Sequence, residues 1–305
     1  MFNIVGRIRE IVVAIRRIDS RLDILQTAIG RVESRQLNDS KIQELVDSEF
    51  KVFSQWGEDG IIQYLIRMIP IENKTLIEFG VENYLESNTR FLVVNNNWSG
   101  LVLDSSEKNI SFIEKDPISW KHSLVAERAF ITAENINEII KKSGLTGDIG
   151  LLSIDIDGND YWVWKAINIV SPRIVVVEYN NFFGSLRKIT IPYDSKFSRE
   201  IAHSSNLYYG ASLAALNDLA EDKGYSLVGS NSAGSNAFFV RNDVLSGLKK
   251  VSPSEVYFQS KCRESRDSKG NLTYLDIRQA LSLIGEMPVF NLDSQKIVRI
   301  IDLNL

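Results

Sequence analysis

The sequence predicts an α/β fold: a Rossmann-like, seven-stranded, mostly parallel sheet with an antiparallel last strand, preceded by an N-terminal coiled-coil helix. Three observations lead to this prediction. A heptad repeat runs from Ile4 to Val32, short β-branched runs alternate with helical patterns from Thr75 onward, and the last two runs lie close together around a polar turn.

The composition is that of a globular protein, with 44% hydrophobic and 24% charged residues among 305. A formal net charge of -4 argues against nucleic acid as a ligand, because neutralising phosphates requires a concentrated basic face. Cys262 is the only cysteine, which excludes an internal disulfide and a thiolate zinc cage. No apolar run reaches the ~18 residues of a membrane span, and the N-terminus is too charged for a signal peptide. We therefore expect a cytoplasmic protein.

The N-terminal segment, residues 1–40, carries an apolar residue at alternating steps of four and three from Ile4 to Val32. Placing Ile8 at heptad position a puts isoleucine at both a and d in the first half, which favours three or four strands. We expect a homo-oligomer through this helix. Two alternatives stay open: packing on its own domain, and peripheral contact with the inner membrane face, since basic residues surround the stripe, namely Arg7, Arg9, Arg16, Arg17 and Arg21.

The polar residues Gln36, Asn38, Asp39 and Ser40 break the heptad, so a catalytic domain is expected over 41–250. The remaining residues, 251–305, are expected to pack on that domain as a C-terminal extension without chemistry. Strands are predicted over 75–79, 100–103, 129–132, 149–154, 174–178, 226–229 and 237–241, with a helix over 213–223.

The first two predicted strands end in residues suited to a nucleoside ligand. Glu78 and Gly80 follow the first strand, where a glycine lets the backbone approach a ligand and a carboxylate suits a cationic amino-acid group. Asp104 ends the second strand, where an acid accepts hydrogen bonds from both ribose hydroxyls. Strand, glycine turn, helix, strand and acid together indicate a nucleoside-binding site.

An acidic turn follows the fourth predicted strand, with Asp155 and Asp157 at the carboxyl end of the sheet. The fifth strand brings Glu178 and Asn180 to the same edge. Oxygen ligands from neighbouring strand ends suit a hard divalent cation such as Mg²⁺. The alternative is a helix cap beside a solvated acidic lip. In either case Asp155 can contact a cofactor directly.

These segments resemble the FkbM-like branch of the class I S-adenosylmethionine-dependent methyltransferases. The resemblance covers about residues 53–241 and rests on the runs 54–60, 78–80, 98–104 and 155–158. It implies S-adenosylmethionine as the methyl donor and a saccharide hydroxyl as the acceptor, as in the biosynthesis of surface polysaccharides.

The resemblance also implies roles for single residues. Glu78 and Gly80 would hold the methionine end of the donor, Asp104 its ribose, and Ala133 to Asn135 its adenine edge. Gln55 and Glu58 would line the entrance. The acidic turn is similar to that of cation-dependent O-methyltransferases, which implies a metal held by Asp155 or Asp157 with Glu178 and Asn180. The sequence departs from the glycine-rich first loop of such enzymes, since Glu82 stands where a second glycine is common.

Methyl transfer to a hydroxyl requires a group that takes the proton. His203 lies in a polar segment after the fifth strand and is the first candidate for this base, with Asp157 in reserve. Two other classes of function stay open. One is an NAD-binding epimerase or dehydrogenase, which the single-glycine turn and the terminal antiparallel pair disfavour. The other is a non-catalytic scaffold in which the coiled coil is the working part.

Overall fold

The computed structural model of the chain describes residues 2–38, 42–260 and 263–303. Cys262 lies outside these ranges, as do Asp39 and Ser40 at the predicted domain boundary and the side chains of Ile4 and Arg16. Within the described ranges, no helix has both the length and the apolarity that crossing a membrane requires.

The strands of the described chain are β1 (Thr75–Phe79), β2 (Ser99–Asp104), β3 (Leu124–Arg128), β4 (Gly147–Ile154), β5 (Val170–Glu178), β6 (Ile189–Thr190), β7 (Tyr225–Ser230), β8 (Asn236–Arg241), β9 (Pro288–Asn291) and β10 (Lys296–Arg299). The α-helices are α1 (Phe2–Gln36), α2 (Glu58–Met68), α3 (Arg90–Asn96), α4 (Glu107–Lys115), α5 (Ile118–Lys121), α6 (Ile136–Lys142), α7 (Asp160–Ala166), α8 (Arg199–Ala202), α9 (Leu213–Asp222), α10 (Pro253–Val256) and α11 (Ile277–Leu283).

Seven of these strands form one sheet in the order β3-β2-β1-β4-β5-β8-β7. Strand β8 runs antiparallel to both of its neighbours, and the other pairs are parallel. The predicted Rossmann-like sheet with an antiparallel last strand is therefore confirmed. The chain reverses direction across the sheet between β1 and β4, which is where open α/β sheets bind ligands.

The central strands are apolar on both faces because helices cover both sides of the sheet. Along β5, Ile174 and Val176 pack in one core cluster, and Val175 and Val177 pack in the other. This period of two fixes which residues face each helical layer.

The third strand lies five residues earlier than the sequence predicted. The run 129–132 is apolar enough for a strand, but Leu124–Arg128 pairs with β2 instead. The predicted strand thereby becomes part of the loop that leads to α6, which changes the residues available to the site. The difference arises because β3 is an edge strand whose Val125 is exposed, so the burial pattern of a strand is weak.

The C-terminal extension completes a second layer beside the main sheet. Strands β10, β9 and β6 form a three-stranded sheet, and Ile284 and Val289 pack with Ile189 and Leu207 in a separate core cluster. Because β6 belongs to the segment after β5, the extension is held against the chain that follows the fifth strand.

Candidate active site

A cavity of about 470 Å³ lies at the carboxyl ends of β1, β2, β4 and β5. Its wall includes Gly80 and Asp104 on one side and Glu178 and Arg199 on the other. The cavity thus occupies the switch point of the sheet, where ligand-binding loops of neighbouring strands diverge.

Gly80 allows the loop after β1 to touch the loop after β4. Its backbone N–H donates to the Leu103 carbonyl at 2.9 Å, and its φ of 71° lies in the left-handed region. A Cβ at this position would lie 1.6 Å from the carbonyl oxygen of Asp155. A glycine is therefore required here by both the backbone conformation and the close approach.

Glu78 lines the cavity but has its carboxylate tied to the loop before α3. Oε1 accepts from the backbone N–H of Asn88 at 2.8 Å, and Oε2 accepts from the backbone N–H and the hydroxyl of Thr89. Burial raises the pKa of Glu78 to about 7, although these hydrogen bonds act against the rise. Glu78 therefore shapes the cavity by holding residues 87–89 in place.

Asp104 is held at the end of β2 and can accept a further hydrogen bond. Oδ1 accepts from Ser106 N at 2.8 Å and Asn109 Nδ2 at 3.0 Å, and Oδ2 accepts from Glu82 N at 2.9 Å. Since each carboxylate oxygen can accept about two hydrogen bonds, Oδ2 keeps a free lone pair at the cavity wall.

The loop after β3 lines the cavity through Phe130 and Ile131 rather than through Ala133 and Asn135. Asn135 instead closes its own turn, accepting from Thr132 N at 2.8 Å and donating to the Phe130 carbonyl. The expected place of the adenine edge is corrected accordingly. The ring of Phe130 is 54% exposed at the cavity wall.

Gln55 lines the cavity as expected, whereas Glu58 does not. Glu58 is completely buried at the start of α2. Its Oε2 accepts from the backbone N–H groups of Trp56 and Gly57, and its Oε1 accepts from the amides of Asn231 and Asn236. Glu58 therefore ties this loop to the β7–β8 turn, and its expected place at the entrance is wrong.

The acidic turn after β4 is held together by Asp160, which is fully buried. Its two oxygens accept from the backbone N–H groups of Ile156 at 2.8 Å and Gly158 at 2.9 Å. Burial raises the pKa of Asp160 to about 6, and the same hydrogen bonds counteract that rise. The closed turn places Asp155 and Asp157 at the cavity wall.

Asp155, Asp157 and Glu178 form an acidic cluster in the cavity. One carboxylate oxygen from each lies within 4.8 Å of the others. Burial first, and then the neighbouring carboxylates, raise the pKa values of Asp155 and Glu178 well above their usual range. Within the described residues, Oε2 of Glu178 is buried and has no hydrogen-bond partner.

Asn180 is not part of this cluster. It is buried behind the cavity wall, where its Nδ2 donates to the Leu207 and Tyr209 carbonyls and its Oδ1 accepts from Phe182 N. Since Asn180 is fully buried and does not line the cavity, the structure does not place it with the three carboxylates as the sequence led us to expect.

Arg199, at the start of α8, is the main residue that the sequence did not reveal. Its guanidinium pairs with Asp157 and with Glu264 of the C-terminal extension, and it lies 3.8 Å from the centre of the Tyr209 ring. Glu264 and Ser260 bring the extension to the cavity wall, which its sequence did not suggest. No motif marks Arg199, because its neighbours come from three separate segments.

His203 lies outside the cavity. The helix α8 ends before it, and its extended backbone turns the ring toward Ser205, whose hydroxyl lies 2.7 Å from Nδ1 and whose backbone N–H donates to Nδ1. Partial burial lowers its pKa. The expectation that His203 is the base is therefore not supported, and Asp157 takes its place as the candidate.

Comparison with protein-family models finds no match, and neither does comparison with curated proteins. Among solved structures, the N-terminal domain of EvdMO1 with SAH bound is similar, with 10% identity over 69% of this chain and 94% of that chain and a TM-score of 0.41. An O-methyltransferase family protein from Burkholderia thailandensis shares 12% identity over 72% and 59%, with a TM-score of 0.38.

A S-adenosylmethionine-dependent methyltransferase from Clostridium acetobutylicum ATCC 824 shares 8% identity, over 55% of this chain and 83% of that chain, with a TM-score of 0.35. Likeness at this level concerns chain topology at most. The activity of this chain has to be inferred from its own cavity and the residues that line it.

Proposed function

We propose that the chain is a S-adenosylmethionine-dependent O-methyltransferase that methylates a hydroxyl of a saccharide or glycosylated acceptor. The observation that carries the proposal is the cavity at the switch point, where Gly80 brings the backbone close and Asp104 keeps a free acceptor lone pair. A nucleoside ligand uses both features, one for close approach and the other for its ribose hydroxyls.

The donor lies, in this proposal, along the ends of β1 and β2. Asp104 accepts from the ribose, Phe130 and Ile131 cover the adenine, and Gly80 faces the methionine end. The exposed carboxylates of Glu82 and Glu86, which line the same wall, suit a cationic amino-acid group. This placement differs from the sequence-based expectation in two respects: Phe130 and Ile131 take the place of residues 133–135 at the adenine, and Glu82 and Glu86 take the place of Glu78 at the methionine end. Asp104 keeps its expected role at the ribose.

The acceptor lies on the opposite side, among polar side chains near β5 and β8. Asn236, whose buried Oδ1 has no hydrogen-bond partner among the described residues, and the half-exposed carboxylate of Glu264 lie there, and the ring of Tyr209 lies at the same wall. Many hydroxyls bound at once require such a set of donors and acceptors, which supports a saccharide.

The chemistry requires that the hydroxyl oxygen bonds to the methyl carbon while the carbon–sulfur bond breaks and its electron pair stays on sulfur. The hydroxyl proton leaves with a base. Asp157 is the proposed base, because its carboxylate is 57% exposed and lines the cavity. Arg199 orients that carboxylate through their ion pair.

A divalent cation held by the acidic cluster is the alternative to Asp157 acting as a free base. Asp155, Asp157 and Glu178 supply three hard oxygen ligands, and the unpaired buried oxygen of Glu178 is a group that a cation would satisfy. Such an ion lowers the pKa of a bound hydroxyl.

The test is methyl transfer from tritiated S-adenosylmethionine to oligosaccharide acceptors. Label is expected in the saccharide fraction, and loss of it in Asp104→Ala. Thermal unfolding with each nucleotide provides the counter-test. If NAD stabilises the protein and S-adenosylmethionine does not, the proposal is wrong.

A further inference from the structure

Helix α1 contacts the rest of the chain only near its C-terminal end. Every described residue from Gly6 to Leu25 is exposed, which corresponds to about 30 Å of helix at 1.5 Å per residue. Contacts begin at Gln26, whose side-chain amide donates to the Val52 carbonyl. Among the described residues, then, the first part of the helix projects without support from its own chain.

The docked part of α1 uses small residues. Thr27 and Ser34 are 8% and 7% exposed. A Cβ on Gly30 would lie 2.5 Å from Cγ2 of Val52, so only glycine permits this approach. Ser34 donates to the side-chain carbonyl of Gln63 at 3.2 Å.

This docking face lies opposite the heptad stripe. With Ile8 at position a, Thr27 and Ser34 fall at f and Gly30 falls at b, positions that point away from a and d. The described a and d side chains are correspondingly 51–62% exposed: Ile8, Ile11, Ile15, Ile18, Leu22, Leu25, Ile29 and Val32. The helix therefore does not use its apolar stripe to pack on its own domain.

We propose that this stripe pairs with the same stripe of a second copy of the chain, in a coiled coil that carries the catalytic bodies on its outer face. Docking through b and f leaves a and d free, which is the arrangement that a coiled coil requires of an appended domain. An exposed apolar stripe of this length marks an interaction surface, because large contiguous apolar patches are rarely left in contact with water.

The regularity of the stripe favours a second copy over a lipid surface. Arg7 and Arg21 fall at g beside the stripe, and Arg9 and Arg17 fall at b and c away from it, so the charges fit both a coiled coil with charged flanks and a helix on anionic lipid. The apolar residues keep the alternating steps of three and four without a break from Ile8 to Val32, which a coiled coil requires and a helix on a lipid surface does not. The isoleucines at both a and d favour three or four strands over two.

The test is sedimentation equilibrium of the full chain at micromolar concentration. The expected mass is at least twice the 34.5 kDa of one chain. The double variant Ile15→Asp with Leu22→Asp is expected to sediment as a monomer, because a charge at a or d cannot be buried. Val13→Asp is the matched control: it is 53% exposed on the same helix but falls at f, so it is expected to keep the wild-type mass.

A monomeric wild type, or a double variant with unchanged mass, overturns the proposal. So does a wild type that stays monomeric but floats with phosphatidylserine vesicles, a result that assigns the stripe to lipid. Near-ultraviolet circular dichroism checks that the body remains folded. If it does not, Ile15→Ala with Leu22→Ala replaces the aspartates, and association about tenfold or more weaker is expected. None of these readouts depends on methyl transfer.

Discussion

Single residues at the strand ends carry most of the proposed chemistry, and Gly80 is the clearest structural case. Gly80→Ala is expected to lower the free energy of unfolding by about 2–4 kcal/mol, because its Cβ would lie 1.6 Å from the Asp155 carbonyl oxygen. Donor affinity should fall with it. Chemical denaturation measures the first effect and calorimetry the second.

The matched control is Gly144→Ala. Gly144 also has a left-handed φ, of 81°, but open space surrounds the added methyl group. We expect a cost of only about 1 kcal/mol there, from backbone strain alone. Equal losses in the two variants would contradict the role given to close packing.

Asp157 and His203 separate two assignments of the base. Asp157→Asn is expected to lower kcat by roughly 10²–10⁴-fold with little change in donor Kd, because it removes a proton acceptor but not a donor contact. His203→Ala is expected to keep near-wild-type turnover, since its ring lies outside the cavity. The reverse pattern in steady-state kinetics would restore histidine as the base.

The acidic cluster makes stability depend on pH. Because the folded pKa of Glu178 lies above its unfolded value near 4.5, the protonated group favours folding at low pH, and this contribution is lost as pH rises through the folded pKa. Glu178→Gln removes the charge, so we expect its Tm to exceed that of the wild type at pH 8 by roughly 2–6 °C, and by less at pH 5.

Glu264→Gln serves as the control, since its side chain lies at the same cavity but is 48% exposed. Adding Mg²⁺ at pH 8 should raise the Tm of the wild type and leave that of Glu178→Gln nearly unchanged. An equal rise in both proteins would contradict a cation held by Glu178.

At the scale of elements, the β7–β8 turn and the start of α2 depend on one buried carboxylate. Asn231 and Asn236 donate to Glu58 at 2.6 and 2.9 Å. Asn231→Ala leaves that charge short of a donor and is expected to cost about 2–4 kcal/mol, measured by urea unfolding. Asn271→Ala, in an exposed turn, should change stability by less than about 0.5 kcal/mol.

The elements also show what sequence patterns can predict. Periodicity located β1, β4 and β5 well, because both faces of these strands are buried and their apolar runs are continuous. It misplaced β3, an edge strand beside a second apolar run, and so named Ala133 and Asn135 where Phe130 and Ile131 line the cavity. Patterns also missed β6 and β9, which are short and belong to the small three-stranded sheet with β10.

The residues at the cavity also divide into those that local sequence locates and those that it does not. Gly80, Asp104 and Asp155 were predictable because a strand end fixes their position from local sequence alone. Arg199 and Glu264 were not, since their ion pair joins segments 65 residues apart. Glu58 and Asn180 looked like ligands in sequence, but each satisfies buried backbone groups, a role that no local pattern distinguishes from binding.

For the whole molecule, one sheet places two opposed walls around the cavity of about 470 Å³, and the extension reaches that cavity through Ser260 and Glu264. Helix α1 contacts this body through the face that carries Thr27, Gly30 and Ser34, and its apolar stripe stays exposed. The proposed donor site and the proposed coiled coil thus lie in separate parts of the chain, so variants of the stripe are expected to leave donor affinity intact.

The central claim is that the cavity binds S-adenosylmethionine through Asp104. Titration calorimetry of the full chain tests it most directly, with Asp104→Asn and the exposed Glu107→Gln compared side by side. We predict saturable binding of S-adenosylmethionine at one site per chain, about 10–100-fold weaker in Asp104→Asn and unchanged in Glu107→Gln. Binding of NAD in place of S-adenosylmethionine, or donor binding that is indifferent to Asp104, would contradict the account.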